Sequence, residues 1–204
     1  ASNDLDELTI LNLKMQGAKI DVWGVGTKLI TAYDQPALGA VYKLVSIADE
    51  NGQMVDTMKI SSNAEKVSTP GKKQVWRITR KRDGKSEGDY IALWEEQPDQ
   101  ESELYMFHPV FTYINKTITE FEARPILQDI IVEGKLVYEL PSLQEVKAFS
   151  EAQMSGLWDE YKRILNPEDY PVDLSQKTYD HKMATIKEIK KQIKEEASLL
   201  ESTK

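Results

Sequence analysis

Two short runs, Ser2-Asn3-Asp4-Leu5-Asp6-Glu7 and Gly24-Val25-Gly26-Thr27, constrain this chain more than anything else in it. Each is a loop suited to start a helix. About twenty residues separate them, the length of one helix and one strand in an α/β barrel. In the first run Asn3 or Asp4 is expected to cap a helix over residues 5–16, with Glu7 at capping-box distance from Asp4 and Leu8, Leu11 and Met15 on one face. Gly17 ends that helix, residues 19–23 read as a short strand, and the G-V-G-T run turns the strand into a second helix start. The free amides there and the Thr27 hydroxyl suit a phosphate, and the two starts are expected to lie side by side.

Beyond residue 40 the pattern changes from helical to β. Residues 42–48 and 53–60 flank Asp49-Glu50-Asn51-Gly52, and the Asn-Gly pair favours a tight hairpin. A second hairpin is expected from residues 74–80 and 90–95 around a loop holding Asp83-Gly84 and Glu87-Gly88. Trp76, Ile78, Tyr90, Ala92 and Trp94 alternate onto shared faces of that pair. Residues 98–103 form a polar break, strands are expected at 105–110 and 136–140, and 126–132 is compatible with either state. The last third is helical. Ser142 and Glu145 make a capping box for a helix whose spacing continues through Leu143, Val146, Phe149, Gln153, Leu157, Tyr161 and Ile164 to the Asn166-Pro167 stop. Ser175 caps another, with Tyr179, Met183, Ile186, Ile189 and Ile193 as an apolar stripe. The fold class is therefore α+β.

The opening runs continue into Tyr33-Asp34-Gln35-Pro36-Ala37-Leu38-Gly39 and Val41-Tyr42-Lys43-Leu44, and together these residues closely resemble the end of the barrel domain of nicotinate phosphoribosyltransferase. Ser68-Thr69-Pro70-Gly71-Lys72-Lys73-Gln74-Val75 resembles that family's next segment. Asn166-Pro167-Glu168-Asp169-Tyr170-Pro171-Val172-Asp173-Leu174-Ser175 resembles its closing one. Ala40 departs from the pattern, where the family more often has glycine. The resemblance implies the last β/α elements of a type II phosphoribosyltransferase (β/α) barrel at residues 1–40, a β-hairpin-rich accessory region at 41–140, and carboxy-terminal helices at 141–204. A whole barrel takes about 250 residues, so the catalytic body is expected upstream of Ala1 and the piece alone is expected to be inactive.

The implied reaction forms nicotinate mononucleotide and pyrophosphate from nicotinate and phosphoribosyl pyrophosphate, with ATP hydrolysis and magnesium, in NAD salvage. By resemblance Asn3, Asp4, Gly24, Gly26 and Thr27 match the 5-phosphate cradle. Helix amino termini stabilise an anion by about 0.3–2 kcal/mol each. Asp4, itself an anion, is better placed to cap the helix or to meet a ribose hydroxyl or a metal-bound water. Lys28 adds positive potential if it turns inward. Asp34 reads as a turn residue and not a catalytic base. No catalytic residue is expected within the chain: neither His108 nor His181 matches the phosphorylated-histidine motif, which the resemblance places upstream with most ATP and magnesium contacts. A homodimer is implied. The rival readings are a nicotinamide phosphoribosyltransferase fragment and a non-catalytic partner-binding module.

A net charge of -8 argues against a nucleic-acid footprint, and the basic run Lys72, Lys73, Arg77, Arg80, Lys81 and Arg82 reads as a solvated face. Without cysteine there is no disulfide or thiolate metal site. No apolar run approaches the ~18 residues of a membrane span, and the expected location is cytoplasmic. The β region carrying the Pro70–Gln74 turn is expected to bury one face of the barrel in preference to reaching a neighbouring subunit or covering an active site.

Overall fold

The computed structural model describes residues 1–37, 39–63 and 66–202, so Leu38 of the Tyr33–Gly39 segment lies outside the described residues. It divides into two units, Ala1–Tyr42 and Lys43–Lys204.

In the first unit helix α1 (Glu7–Met15) starts at Asp6 instead of Asn3 or Asp4. A cap needs extended backbone. Asp6 has it (φ -137°, ψ 175°), whereas Asn3 and Asp4 sit at φ 81° and 48°, in the left-handed region. The expected Asp4–Glu7 capping box is therefore replaced by Asp6, whose carboxylate accepts from the Thr9 amide at 2.7 Å. Gly17 (φ 83°) ends the helix as expected: its N–H donates to Lys14 O while Ala18 N–H donates to Leu13 O, a paired C-terminal closure. The expected strand over 19–23 is reduced to one parallel bridge, Ser2 with Gly24. A strand needs a neighbour, and here only Ala1 and Ser2 run alongside, through Gly24 N–H to Ala1 O at 2.7 Å and the Ala1 ammonium to Val22 O at 2.8 Å. Helix α2 (Thr27–Ile30) follows Gly26. Neither helix buries a residue, and the expected apolar face of Leu8, Leu11 and Met15 is exposed.

The second unit begins with the Asn-Gly hairpin, β1 (Ser46–Ala48) against β2 (Met54–Asp56), shorter than expected. Gly52 takes φ 78°, and the Asp49 carboxylate accepts from the amides of Asn51 and Gln53 at 2.8 Å each. The main sheet contains β3 (Lys73–Arg80), β4 (Ser86–Leu93), β5 (Glu103–Phe107), β6 (Asn115–Thr119) and β7 (Phe121–Pro125). A small hairpin of β8 (Ile131–Val132) and β9 (Lys135–Leu136) lies outside it and replaces the strand expected at 136–140. The sixth strand of the sheet is β10 (Val172–Leu174), and the order is β6-β5-β10-β4-β3-β7. Glu87-Gly88, expected in the β3–β4 loop, lies inside β4. The register slips there, from Ile78 opposite Gly88 to Thr79 opposite Ser86, which leaves Glu87 as the extra residue of a bulge.

The sheet must curl. β6 and β7 are its opposite edges, yet only Glu120 separates them, so the edges meet within about 7 Å at that corner, where a flat six-stranded sheet would hold them about 24 Å apart. Glu120 makes the corner at φ 52°, and Lys81 N–H from the β3 end donates to its carbonyl at 2.9 Å. Inside lie Trp76, Ile78, Tyr90, Ala92, Leu104, Met106 and Phe121. Trp94, expected with them, is exposed under the Lys72 ammonium, 3.7 Å from its ring centroid.

Helix α3 (Leu143–Gly156) has the Ser142–Glu145 capping box but ends well before Asn166. Leu157 and Trp158 are extended because the Trp158 indole N–H donates to Ser86 O at 2.7 Å, and a 3₁₀ turn, Asp159–Lys162, follows. Helix α4 (Gln176–Ser202) is capped by Ser175, whose hydroxyl accepts from Thr178 N–H at 3.0 Å. Its stripe is half used: Tyr179 packs edge-on against Phe107, and Met183 and Ile193 are exposed.

Candidate phosphate site

The loops before α1 and α2 are brought together within the first unit. The Ser2–Gly24 bridge puts them side by side, and a Cβ on Gly24 would stand 3.2 Å from Ser2 Cβ. That is tighter than an ordinary contact, so glycine at 24 suits the close approach. Gly26 is different: nothing lies within 4 Å of where its Cβ would be, and as the residue preceding α2 it offers no side-chain cap. Asn3 and Asp4 follow Ser2 directly, each in left-handed backbone that costs about 1–3 kcal/mol for residues of this kind. Strain of that kind concentrates where loops bind ligands.

Lys28 does not stand free beside these loops. Its ammonium lies 2.5 Å from Asp6 Oδ2 and 5.8 Å from the Tyr33 ring centroid. Hydrogen bonds from Lys28 and Thr9 hold the Asp6 carboxyl well below the usual carboxylate range, and the same pair raises the Lys28 ammonium. The pair ties α1 to α2, a role that the sequence reading of S-N-D-L-D-E, which placed the cap at Asn3 or Asp4, did not assign to Asp6. Asp34 lies in the turn after α2, where Gln35 N–H donates to Ala32 O at 2.8 Å.

The other singled-out residues lie in the second unit and are engaged there. His108 Nδ1 accepts from Val110 and Phe111 N–H at 3.1 and 2.9 Å, and His181 Nε2 is 2.8 Å from Asp56 Oδ2. Much of the basic run is paired and not merely solvated. Arg77 forms a bidentate pair with Asp89 at 2.9 and 3.0 Å, Arg80 pairs with Asp83 and lies over the Trp158 ring, and the Lys73 ammonium donates to the carbonyls of Thr69, Pro70 and Gly71. Burial lowers the Lys73 pKa, partly opposed by Asp56. The Pro70–Gln74 turn packs inward: Pro70 is buried, and Gly71, at φ 86°, has Asp56 Oδ2 2.9 Å from where a Cβ would be.

The family model for the nicotinate phosphoribosyltransferase C-terminal domain matches residues 72–182. The chain belongs to the nicotinate phosphoribosyltransferase family. A nicotinate phosphoribosyltransferase of Bacillus subtilis is 58% identical over 196 residues, which is 96% of this chain and 40% of that protein. The mouse nicotinate phosphoribosyltransferase is 32% identical over 176 residues, 86% of this chain and 32% of its own length. The crystal structure of human nicotinic acid phosphoribosyltransferase matches with a TM-score of 0.65 at 26% identity, over 92% of this chain and 32% of that one. The chain therefore spans 40% or less of these nicotinate phosphoribosyltransferase relatives.

Proposed function

We propose that this chain works as the carboxy-terminal part of a nicotinate phosphoribosyltransferase, which makes nicotinate mononucleotide and pyrophosphate from nicotinate and phosphoribosyl pyrophosphate with ATP hydrolysis in NAD salvage. Residues 1–40 serve as the last elements of a type II phosphoribosyltransferase barrel. Residues 41–140 form the accessory β region, and residues 141–204 form the helical region that lends it β10. In this reading Asn3, Gly24, Gly26 and Thr27 receive the 5-phosphate, and Asp4, which does not cap α1, is free to accept from a ribose hydroxyl.

The observation that carries the reading is the pairing of the two loops, in a chain of this family. The open faces of α1 and α2 support it, since a barrel helix buries its apolar side against strands. Among the described residues no three His, Cys, Asp or Glu side chains converge to hold a metal, so no step is assigned to magnesium here. The phosphorylated histidine and most ATP contacts belong to the rest of the polypeptide, and the whole acts as a cytoplasmic homodimer. No described helix is long and apolar enough to cross a membrane.

Calorimetry on the complete enzyme tests the loops. Gly26→Val and Thr27→Ala are expected to weaken nicotinate mononucleotide binding about tenfold or more; a Cβ at 26 meets open space, but the backbone there (φ -118°, ψ -112°) disfavours valine, so Thr27→Ala is the variant that leaves that backbone unstrained. Unchanged affinity in both variants removes the second loop from the site.

A further inference from the structure

The closing segment Asn166–Ser175 does more than supply a strand. Together with the turn after β5 it walls a cavity of about 740 Å³ that lies within the second unit, and Asp173 lines it. Asp173 is 6% exposed, and among the described residues no donor reaches its carboxylate. The polar neighbours are already committed. Lys116 Nζ donates to Glu87, at 2.5 Å to the carbonyl and 2.9 Å to Oε2. The Asn115 amide donates to Thr112 O and Tyr113 O at 3.1 and 3.2 Å. The Tyr170 hydroxyl lies 2.6 Å from Ser86 Oγ and 3.1 Å from Asp89 Oδ1. His108 Nδ1 is an acceptor for two amides, as described above.

We propose that this cavity binds an organic cation with N–H donors, a guanidinium or a primary ammonium, and that Asp173 is its counter-ion. Asp173 is buried as a residue, no protein group donates to its carboxylate where it lines the cavity, and an entering cation supplies charge-assisted hydrogen bonds there. Burial pushes the Asp173 carboxyl up, opposed by Lys116 and His108, and a bound cation is expected to bring it back down. The cavity matches the cation's other needs. Phe111 stacks on His108 with centroids 5.0 Å apart, giving a flat aromatic wall against which a guanidinium can lie. Glu168 and Asp169 add negative charge to the lining. The acids do not converge into a metal-holding set, which leaves an organic cation as the fitting class. This cation is either a free small molecule or a basic side chain from polypeptide outside residues 1–204.

Agmatine, which carries both groups, is the probe. Titrated into the 204-residue chain, it is expected to produce saturable NMR shifts at the Asp173 carboxyl and the His108 ring. Asp173→Asn weakens binding at least about tenfold, Phe111→Ala several-fold, and Glu103→Gln, an exposed carboxylate elsewhere, not at all. The same titration on the complete enzyme separates the sources. Retained binding assigns the site to a free small cation; binding lost there but present in the 204-residue chain assigns it to a basic side chain of the remaining polypeptide. Absence of saturable binding in the 204-residue chain, or equal affinity in Asp173→Asn, overturns the proposal. If Asp173→Asn does not fold, undiminished binding in Phe111→Ala, at a half-exposed position, overturns it instead.

Discussion

Gly24 and Gly26 stand two positions apart and answer to different demands. Ser2 lies close to the first, whereas the second faces open space but takes φ -118° and ψ -112°, outside the regions that residues with a Cβ favour. Asp6 and Lys28 show the same separation of local from tertiary cause. The residue that caps α1 is Asp6 and neither of the expected Asn3 and Asp4, because those two take left-handed backbone and no propensity rule ranks neighbouring polar residues by that criterion. The pair also has a pH signature. A carboxyl depressed in the folded state contributes stability that is fully present above its unfolded value, about 3.9, and is lost as pH falls through the folded value. Lys28→Met removes the largest cause of the depression. The Asp6 titration midpoint followed by carboxyl NMR should then rise toward the ordinary aspartate value, and a midpoint that stays low assigns the depression to the Thr9 amide instead.

At the scale of elements, the signals that held were those complete within a few residues. The Ser142–Glu145 box, the Asn-Gly turn and the Ser175 cap each carry their hydrogen bonds locally, and each formed as expected. One local signal, the Asp4–Glu7 box, gave way to Asp6; the others that failed depend on distant partners. α3 stops at Gly156 although apolar spacing continues, because Trp158 leaves the helix to reach Ser86. Strand β10 has no alternating pattern, since Asp173 and Leu174 are both buried between β4 and β5. Its end is the best-connected point of the second unit. Ser175, 1% exposed, caps α4 and lies 2.7 Å from Glu96 Oε2, which also accepts from Leu93 N–H at 2.7 Å. Ser175→Ala removes a cap and leaves that carboxylate one donor short. Urea unfolding should show a loss of about 1–3 kcal/mol, more than the usual ~1 kcal/mol for a cap alone, whereas a smaller loss would mean that water replaces the hydroxyl.

At the scale of the whole molecule, the two units differ in what they bury. The second encloses a core inside a curled sheet, while the first buries Leu5 and leaves both helix faces open. Hydrogen exchange on the 204-residue chain should therefore be fast through α1 and α2 and slow through β3, β4 and β10. In the complete enzyme α1 should become protected, and slow exchange there in the isolated monomer would contradict the barrel reading. What the sequence by itself determined was local and compositional: the starts of α3 and α4, the Asn-Gly turn, the alternation of β3 and β4, and the residues whose resemblance led to the family. The tertiary structure alone decided the insertion of β10, the corner at Glu120 and the lone carboxylate of Asp173, and it reduced the strand expected at 19–23 to a single bridge. Each of these joins or isolates groups far apart along the chain, and periodicity and propensity, which act over a few residues, carry no record of which distant surface a segment will meet.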